Sequence, residues 1–442
     1  RDDTAVAYGL AVCLARGGAL TDARSVLERA AGEATHPRYR RLLTDLVHHL
    51  EPERSVAAEP VARSPQGASM TLFAMPKPFT GHPGTIQRNA IRSWTKLEPK
   101  PEIILFGQEP GIREMAQEVG ARHVPDVGRN EFGTPRVDAL FNAAQSEASH
   151  DVLAYVNADI ILFQDFLTAV QRAHKRFPQF LLVGQRWDLA VLTEIDFANP
   201  RWPDWLREQM ERYSMLHAEC GLDYFVFRKG LYPQIPPLAI GRTAWDNWLV
   251  VDPLRRDLPV IDGTEAVTAV HQDHDYGHVA GGRKEAWCGA EAARNRELAG
   301  SIGSKVWTSA ASWVLDGWGE FRQAEQRVAC FLTAEYREER IRWLLRDAPR
   351  VLAAGRTDLA LCRCEEVEDR LHLWLVAKTQ EMRASGATGQ QPSADFYLGG
   401  CVALARCYVQ AGRPDRAAAV YNQLLENRAV HLRETQRNQI MQ

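Results

Sequence analysis

The amino-acid sequence predicts an α/β protein with a mostly parallel, doubly wound sheet carried between helical regions. Three observations predict it. Apolar runs of strand length alternate with stretches of helical spacing from Met70 onward. The run from Asp151 to Val156 is apolar at nearly every position, as in a strand buried on both faces. Both ends of the chain show helical periodicity instead.

Residues 1–50 read as a helical hairpin. Leu10, Ala11 and Leu14 precede the break at Gly17-Gly18, and Ala23, Val26, Leu27 and Ala30 follow it. The pattern returns in 395–442, where Leu404, Ala405, Gly412, Ala417 and Val420 keep the same spacings. Small residues at the close approach, with Gly at the turn, resemble half of a tetratricopeptide repeat; a generic antiparallel helix pair makes the same demand. Residues 51–69 form a linker rich in Pro, Ala and Ser. The α/β region, 70–318, opens with a strand at Met70–Met75. A Pro/Gly loop from Pro76 to Gly84 follows, then a helix from Thr85 to Leu97. Strand Glu102–Phe106, a helix through Val119, a short strand near His123-Val124 and a helix with Leu140, Phe141 and Ala144 lead to the central strand. Strands are expected again at Phe180–Gly184, Asp223–Arg228 and Pro259–Asp262, with a short helix opening near Trp245. Residues 319–383 are helical, and 384–394 form a second linker.

With 442 residues the chain has room for two or three domains. Apolar residues make up 45% and charged residues 25%, as in a protein with a buried core. The net charge of −3 supplies no overall basic field, which argues against a nucleic-acid partner. Eight cysteines are scattered, and Cys362 and Cys364 are one residue apart rather than two; a reduced, cytoplasmic thiol set is expected. No apolar run approaches the roughly 20 residues of a membrane span. Arg1 already lies in a helical pattern, as in a piece of a longer protein.

Chemistry concentrates at the strand ends, where ligands of open α/β sheets collect. Asn157 and Asp159 end the central strand. A carboxylate there can hold a divalent cation against a diphosphate, although Asp159 can equally cap the helix carrying Phe166, Leu167 and Val170. Two loops, Pro76–Gly84 and Asp126–Arg136, offer backbone amides and Arg forks for phosphate recognition, or simply turns. Asp246 sits between Trp245 and Trp248 at a helix start. Walled by indoles it gains proton affinity and suits a general base; the alternative is a cap, with the tryptophans in the core or Trp245 stacked on a sugar. His271, His274 and His278 lack a nearby cysteine to complete a zinc set, but His274 can reach a metal held by Asp159; a polar turn is the alternative.

Thr80-Gly-His82, Asn157-Ala-Asp159, Ala244-Trp-Asp246-Asn-Trp248 and His271-Gln-Asp-His274-Asp-Tyr276 together resemble bacterial nucleotide-diphospho-sugar transferases of the GT-A glycosyltransferase fold, over about 70–318. The resemblance implies a nucleotide-sugar donor bound by Pro76, Thr80, His82, Arg129, Thr134, Arg136 and Asn157. It implies Mn2+ or Mg2+ on Asp159 and His274, Asp246 as the base, and a glycan or protein acceptor near Arg186, Trp187, Asp223 and Trp245. Asn157 departs from the Asp-X-Asp pattern by replacing its first acid. Helical repeats beside such a domain suggest a surface for a protein partner. Two other functions share this pattern. A sugar-phosphate nucleotidyltransferase needs a Gly-rich basic loop after strand one, where this chain has only Lys77. A non-catalytic nucleotide-sugar-binding scaffold finds its best support in Asn157.

Overall fold

The strand β4 (Val152–Val156) shows how the sequence builds the sheet. Its five residues are buried, with Val152, Ala154 and Val156 in one core cluster and Leu153 and Tyr155 in another. Side chains alternate across a strand, so this requires helices on both faces. The computed structural model describes residues 70–274, 282–303, 306–325, 329, 334–384 and 394–426, together with Ser25. The expected N-terminal hairpin and first linker, His278 and residues 385–393 and 427–442 lie outside them.

Parallel pairing joins β1 (Met70–Ala74) to β4 and to β2 (Glu102–Phe106), and β2 to β3 (Arg122–Val124). On one face pack α1 (Gly81–Trp94), α2 (Ile112–Val119) and α4 (Gln164–Arg176); on the other pack α3 (Val137–Glu147) and α6 (Trp245–Arg255). Beyond β4 comes β9 (Tyr224–Arg228), antiparallel to both its neighbours, β4 and β6 (Leu181–Val183). Then follow β10 (Val260–Asp262), β12 (Trp313–Leu315) and β13 (Phe321–Gln323), giving nine strands among the described residues. The fold is a mixed α/β architecture with a large, mostly parallel sheet, as expected.

Several elements differ from expectation. Helix α1 starts at Gly81, four residues early, because Pro83 falls in the first turn where backbone N–H groups have no helical acceptor anyway. A second, four-stranded sheet was not legible: β5 (Ile160–Leu162), β11 (Ala269–Gln272), β7 (Trp187–Leu189) and β8 (Met215–Leu216). Helix α5 (Trp202–Tyr213) comes between β7 and β8, and its core joins Trp202 and Leu206 to Trp187 and Val270.

Two short helices, α7 (Gly282–Cys288) and α8 (Ala290–Gly303), precede the C-terminal helices α9 (Ala334–Ala353), α10 (Thr357–Ala384), α11 (Ala394–Gln410) and α12 (Pro414–Glu426). Their shared core contains Ile341, Leu344, Leu371, Leu404 and Val420, and takes in Met215 and Ala218 from the α/β region. Among the described residues no helix is long and apolar enough to cross a membrane.

Candidate active site

Asn157 leaves β4 with both its backbone and its side chain committed. Its N–H donates to the Asp223 carbonyl at 2.9 Å, its Nδ2 to Asp223 Oδ1 at 2.5 Å, and its Oδ1 accepts from the Tyr155 hydroxyl at 2.9 Å. This meeting follows from the reversed β9: Val156 pairs with Tyr224, so the start of one strand faces the end of the other. The second oxygen of Asp223 is bonded by Arg186 Nη1. Arg186 Nε donates to Asp188 Oδ1 at 3.1 Å, and His217 Nδ1 lies 2.7 Å from Asp188 Oδ2. Gly221 has room for no side chain, since a Cβ there would come within 2.5 Å of the His217 ring.

Asp159 is followed directly by β5, while α4 begins only at Gln164 with Phe163 before it. The capping alternative for Asp159 therefore fails. The side chain is buried: Oδ2 lies 3.1 Å from His274 Nε2, and Oδ1 has no hydrogen-bond partner among the described residues. Lys77 Nζ is 3.4 Å from the same His274 nitrogen. Gln87 grips the Lys77 backbone at both ends, Lys77 N–H donating to Oε1 at 2.6 Å and Nε2 donating to the Lys77 carbonyl at 2.9 Å. Burial alone would raise the Asp159 carboxyl, but His274, His271 and Lys77 hold it well below the usual carboxylate range. Burial, with Lys77 behind it, lowers His274, which leaves a neutral imidazole.

Asp159, His271 and His274 offer ligand atoms within 4.8 Å of one another. An ionised carboxylate with an unpartnered buried oxygen beside a neutral imidazole fits a divalent cation. His271 is a poorer donor. Burial and Arg186 act to lower it, yet the Asp188 and Asp273 carboxylates push it up to about 9, so it must shed a proton first. The overlapping group Asp188, His271 and Asp273 is a different case, because bonds from Arg186, His217, Arg340 and Arg363 already occupy its carboxylates.

Asp246 lies in the first turn of α6. Ala244, at φ 78°, turns the chain into the helix, and Asp246 Oδ1 accepts the Asn247 N–H at 2.9 Å. Burial, and then the charge of Asp223, push its carboxyl up to about 7. The flanking indoles are core. Trp245 is 6% exposed, with its ring centroid 5.5 Å from Tyr155 and 5.6 Å from Phe225, so its face is not open for stacking on a sugar. Trp187, also 6% exposed, packs in the core of the second sheet rather than toward an acceptor.

No family model matches the chain, and no curated protein matches it. Among solved structures it is similar to glucosyl-3-phosphoglycerate synthase from Mycobacterium tuberculosis in complex with Mg2+ and UDP, at 12% identity over 59% of this chain and 89% of that one, TM-score 0.33. The same enzyme with Mn2+, UDP and glucosyl-3-phosphoglycerate gives 15% over 47% and 73%, TM-score 0.28. The mannosyltransferase PcManGT from Pyrobaculum calidifontis, in complex with GDP-Man and Mn2+, gives 13% over 92% and 99%, TM-score 0.31. Similarity this low leaves the function to be argued from the chain's own residues.

Of the residues expected in the site, Asn157, Asp223 and Arg186 form one bonded chain, Asp159 and His274 form a pair, and His82 Nε2 lies 3.1 Å from the Asp273 carbonyl. Pro76 is buried at the end of β1, and Thr80 is exposed just before α1. The second loop is engaged elsewhere. Arg129 pairs with Glu109, Arg136 with Asp138, and the Thr134 N–H donates to Asn130, none of these bonds reaching Asp159 or His274. Lys77, Asp188, His217, Asp273, Arg340 and Arg363 were not foreseen as site residues. The two arginines did carry a signal: each stands at helical spacing among apolar residues, Arg340 with Trp343 and Leu344, Arg363 with Leu359, Ala360 and Val367.

Proposed function

We propose that this chain transfers a sugar from a nucleotide-diphosphate sugar to a hydroxyl of a glycan or protein acceptor, with Asp246 as general base and Asp159 and His274 holding Mn2+ or Mg2+. One observation carries the proposal. Two carboxylates have opposite proton affinities: Asp159 is held ionised beside His274, His271 and Lys77, and Asp246, which feels the charges of Asp223 and Arg186, is raised to about 7. Such a separation assigns roles to paired acids: one binds cationic charge permanently, the other takes and returns a proton near neutrality.

A bound divalent metal supplies charge compensation for the departing diphosphate. The Lys77 ammonium, carried on a backbone held by Gln87, adds a second positive charge beside His274. Arg186 is braced by Asp223 and Asp188, so its guanidinium faces the site without reorganisation. Asp246 removes the proton of the attacking hydroxyl, the step a direct displacement at the anomeric carbon requires. Pro76 after β1, with Thr80 and His82 at the start of α1, are the residues this proposal assigns to the donor side. Arg129, Thr134 and Arg136 serve the nucleotide only after releasing their local bonds.

The test is release of nucleoside diphosphate from a panel of sugar nucleotides with Mn2+ or Mg2+, in wild type, Asp159→Ala and Asp246→Asn. Metal-dependent release lost in both variants supports the proposal. Release that survives Asp246→Asn removes Asp246 as base, and pyrophosphate formed from a nucleoside triphosphate and a sugar phosphate replaces the transferase with a nucleotidyltransferase.

A further inference from the structure

The C-terminal helices do more than pack against the α/β region. Arg340 of α9 and Arg363 of α10 are 3% and 4% exposed, and both reach into the site. Arg340 Nη1 donates to Asp188 Oδ2 at 2.6 Å, and its Nε donates to Glu366 at 3.1 Å. Arg363 Nη2 donates to Asp273 Oδ2, and its Nε donates to Asp347 at 3.1 Å. Both guanidiniums lie over the Trp343 indole, at 4.6 and 4.7 Å from a ring centroid, and that indole donates to the Tyr213 carbonyl at 3.0 Å. A guanidinium is almost never buried so completely unless paired, and apolar packing alone would have joined the helices to the sheet more cheaply.

The carboxylates gripped in this way are the ones that shape the site. Asp188 holds Arg186 and His217, and the His271 ring lies between Asp188 and Asp273, 3.5 and 3.3 Å from their oxygens. Asp273 directly precedes His274, and its carbonyl meets His82 at 3.1 Å. We propose that Arg340 and Arg363 are positioning residues of the active site: from two C-terminal helices they fix Asp188 and Asp273, and through them Arg186 and the segment presenting His274. The helical region is then an integral wall of the catalytic centre. Its functional meaning rests on the metal site proposed above; the placement itself does not.

The experiment uses the full chain with Arg363→Met and Arg340→Met, and Arg350→Met as control. Arg350 shares Asp347 with Arg363 but bonds none of the site carboxylates. Hydrogen exchange at residues 186–189 and 269–274 reads positioning, and titration with Mn2+ reads its consequence. Arg363→Met is expected to speed exchange at 269–274 and weaken Mn2+ binding, each at least about tenfold, with Arg363→Lys recovering part of both and the control within about twofold of wild type. Arg340→Met should act in the same way at 186–189. Wild-type exchange at both segments, with only thermal stability lowered, would overturn the proposal. Should Arg363→Met not fold, the double variant Asp273→Asn/Arg363→Met removes the stranded charge; wild-type exchange at 269–274 in that folded chain would also overturn it. A wild type that binds no Mn2+ counts against the metal reading alone, and exchange still decides the positioning role.

Discussion

Asp246→Asn separates a base from a helix residue in one comparison. In the folded chain the carboxyl is raised from 3.8 to about 7, a preference for the protonated form of about 4 kcal/mol at full burial. Asp246 keeps a partly exposed edge, and solvent screening brings this to about 2 kcal/mol. The folded state therefore binds the proton more tightly than the unfolded chain does. Its contribution to stability is complete below about pH 4 and is lost as pH rises to about 7. Asparagine keeps an oxygen for the Asn247 N–H and carries no charge, so the variant should match wild type near pH 4 and exceed it by about 2 kcal/mol at pH 8. Sugar transfer should fall about 10²–10⁴-fold, and wild-type kcat/KM should rise with pH up to about 7. Thermal unfolding at the two pH values and initial rates of nucleotide release check both halves. A variant equally destabilised at pH 4 and pH 8, or one that transfers at the wild-type rate, would refute the reasoning.

Mn2+ at about one hundred times its dissociation constant should stabilise wild type by about 2.7 kcal/mol and leave Asp159→Ala unshifted, as read by thermal unfolding with and without metal. Asn157→Asp should not simply restore a second metal acid. It loses the bond to Asp223 and sets two carboxylates against each other, costing about 1–3 kcal/mol by chemical denaturation at pH 7; tighter metal binding with no loss of stability would contradict this. Trp187→Ala and Trp245→Ala should each cost about 3–5 kcal/mol of stability, since both rings are core; weaker acceptor use with stability unchanged would put them back at the site.

Much of the sheet was written locally. Glu102–Phe106 emerges residue for residue because Pro101 and Gly107 bound a short apolar run, and β4 announces burial on both faces in five residues. The second sheet was hidden, since β5, β7 and β8 are two or three residues long and show no period of their own. The direction of β9 is likewise absent from Tyr224-Phe-Val-Phe-Arg228, because both orientations bury the same side chains. In the site, Asp159, His274 and Asp246 stood out as polar residues ending or opening apolar elements. Asp188 did not: it lies inside Trp187–Leu189, and its role depends on Arg340, 152 positions away. Reading Arg340 and Arg363 as interruptions of an apolar stripe would have shown that something acidic must meet them, though not which acids.

The inverted strand also sets the direction of traffic through the centre. β1 and β4 run toward the site and the chain leaves them there; β9 is entered from the site and carries the chain away, from Asp223 at its head to Arg228, which pairs with Val152 at the far end of β4. The return to Asp246 then depends on the span between Arg228 and Trp245, pinned on the way by the bridge from Ala239 to Arg136. Asp223 and Asp246 are thus the two ends of a single hairpin-like excursion around the sheet. Lengthening or shortening that excursion would move Asp246 relative to Asp223 while leaving Asp159 and His274 in place, so under the function proposed above a change of acceptor would not require any change at the residues assigned to the cation.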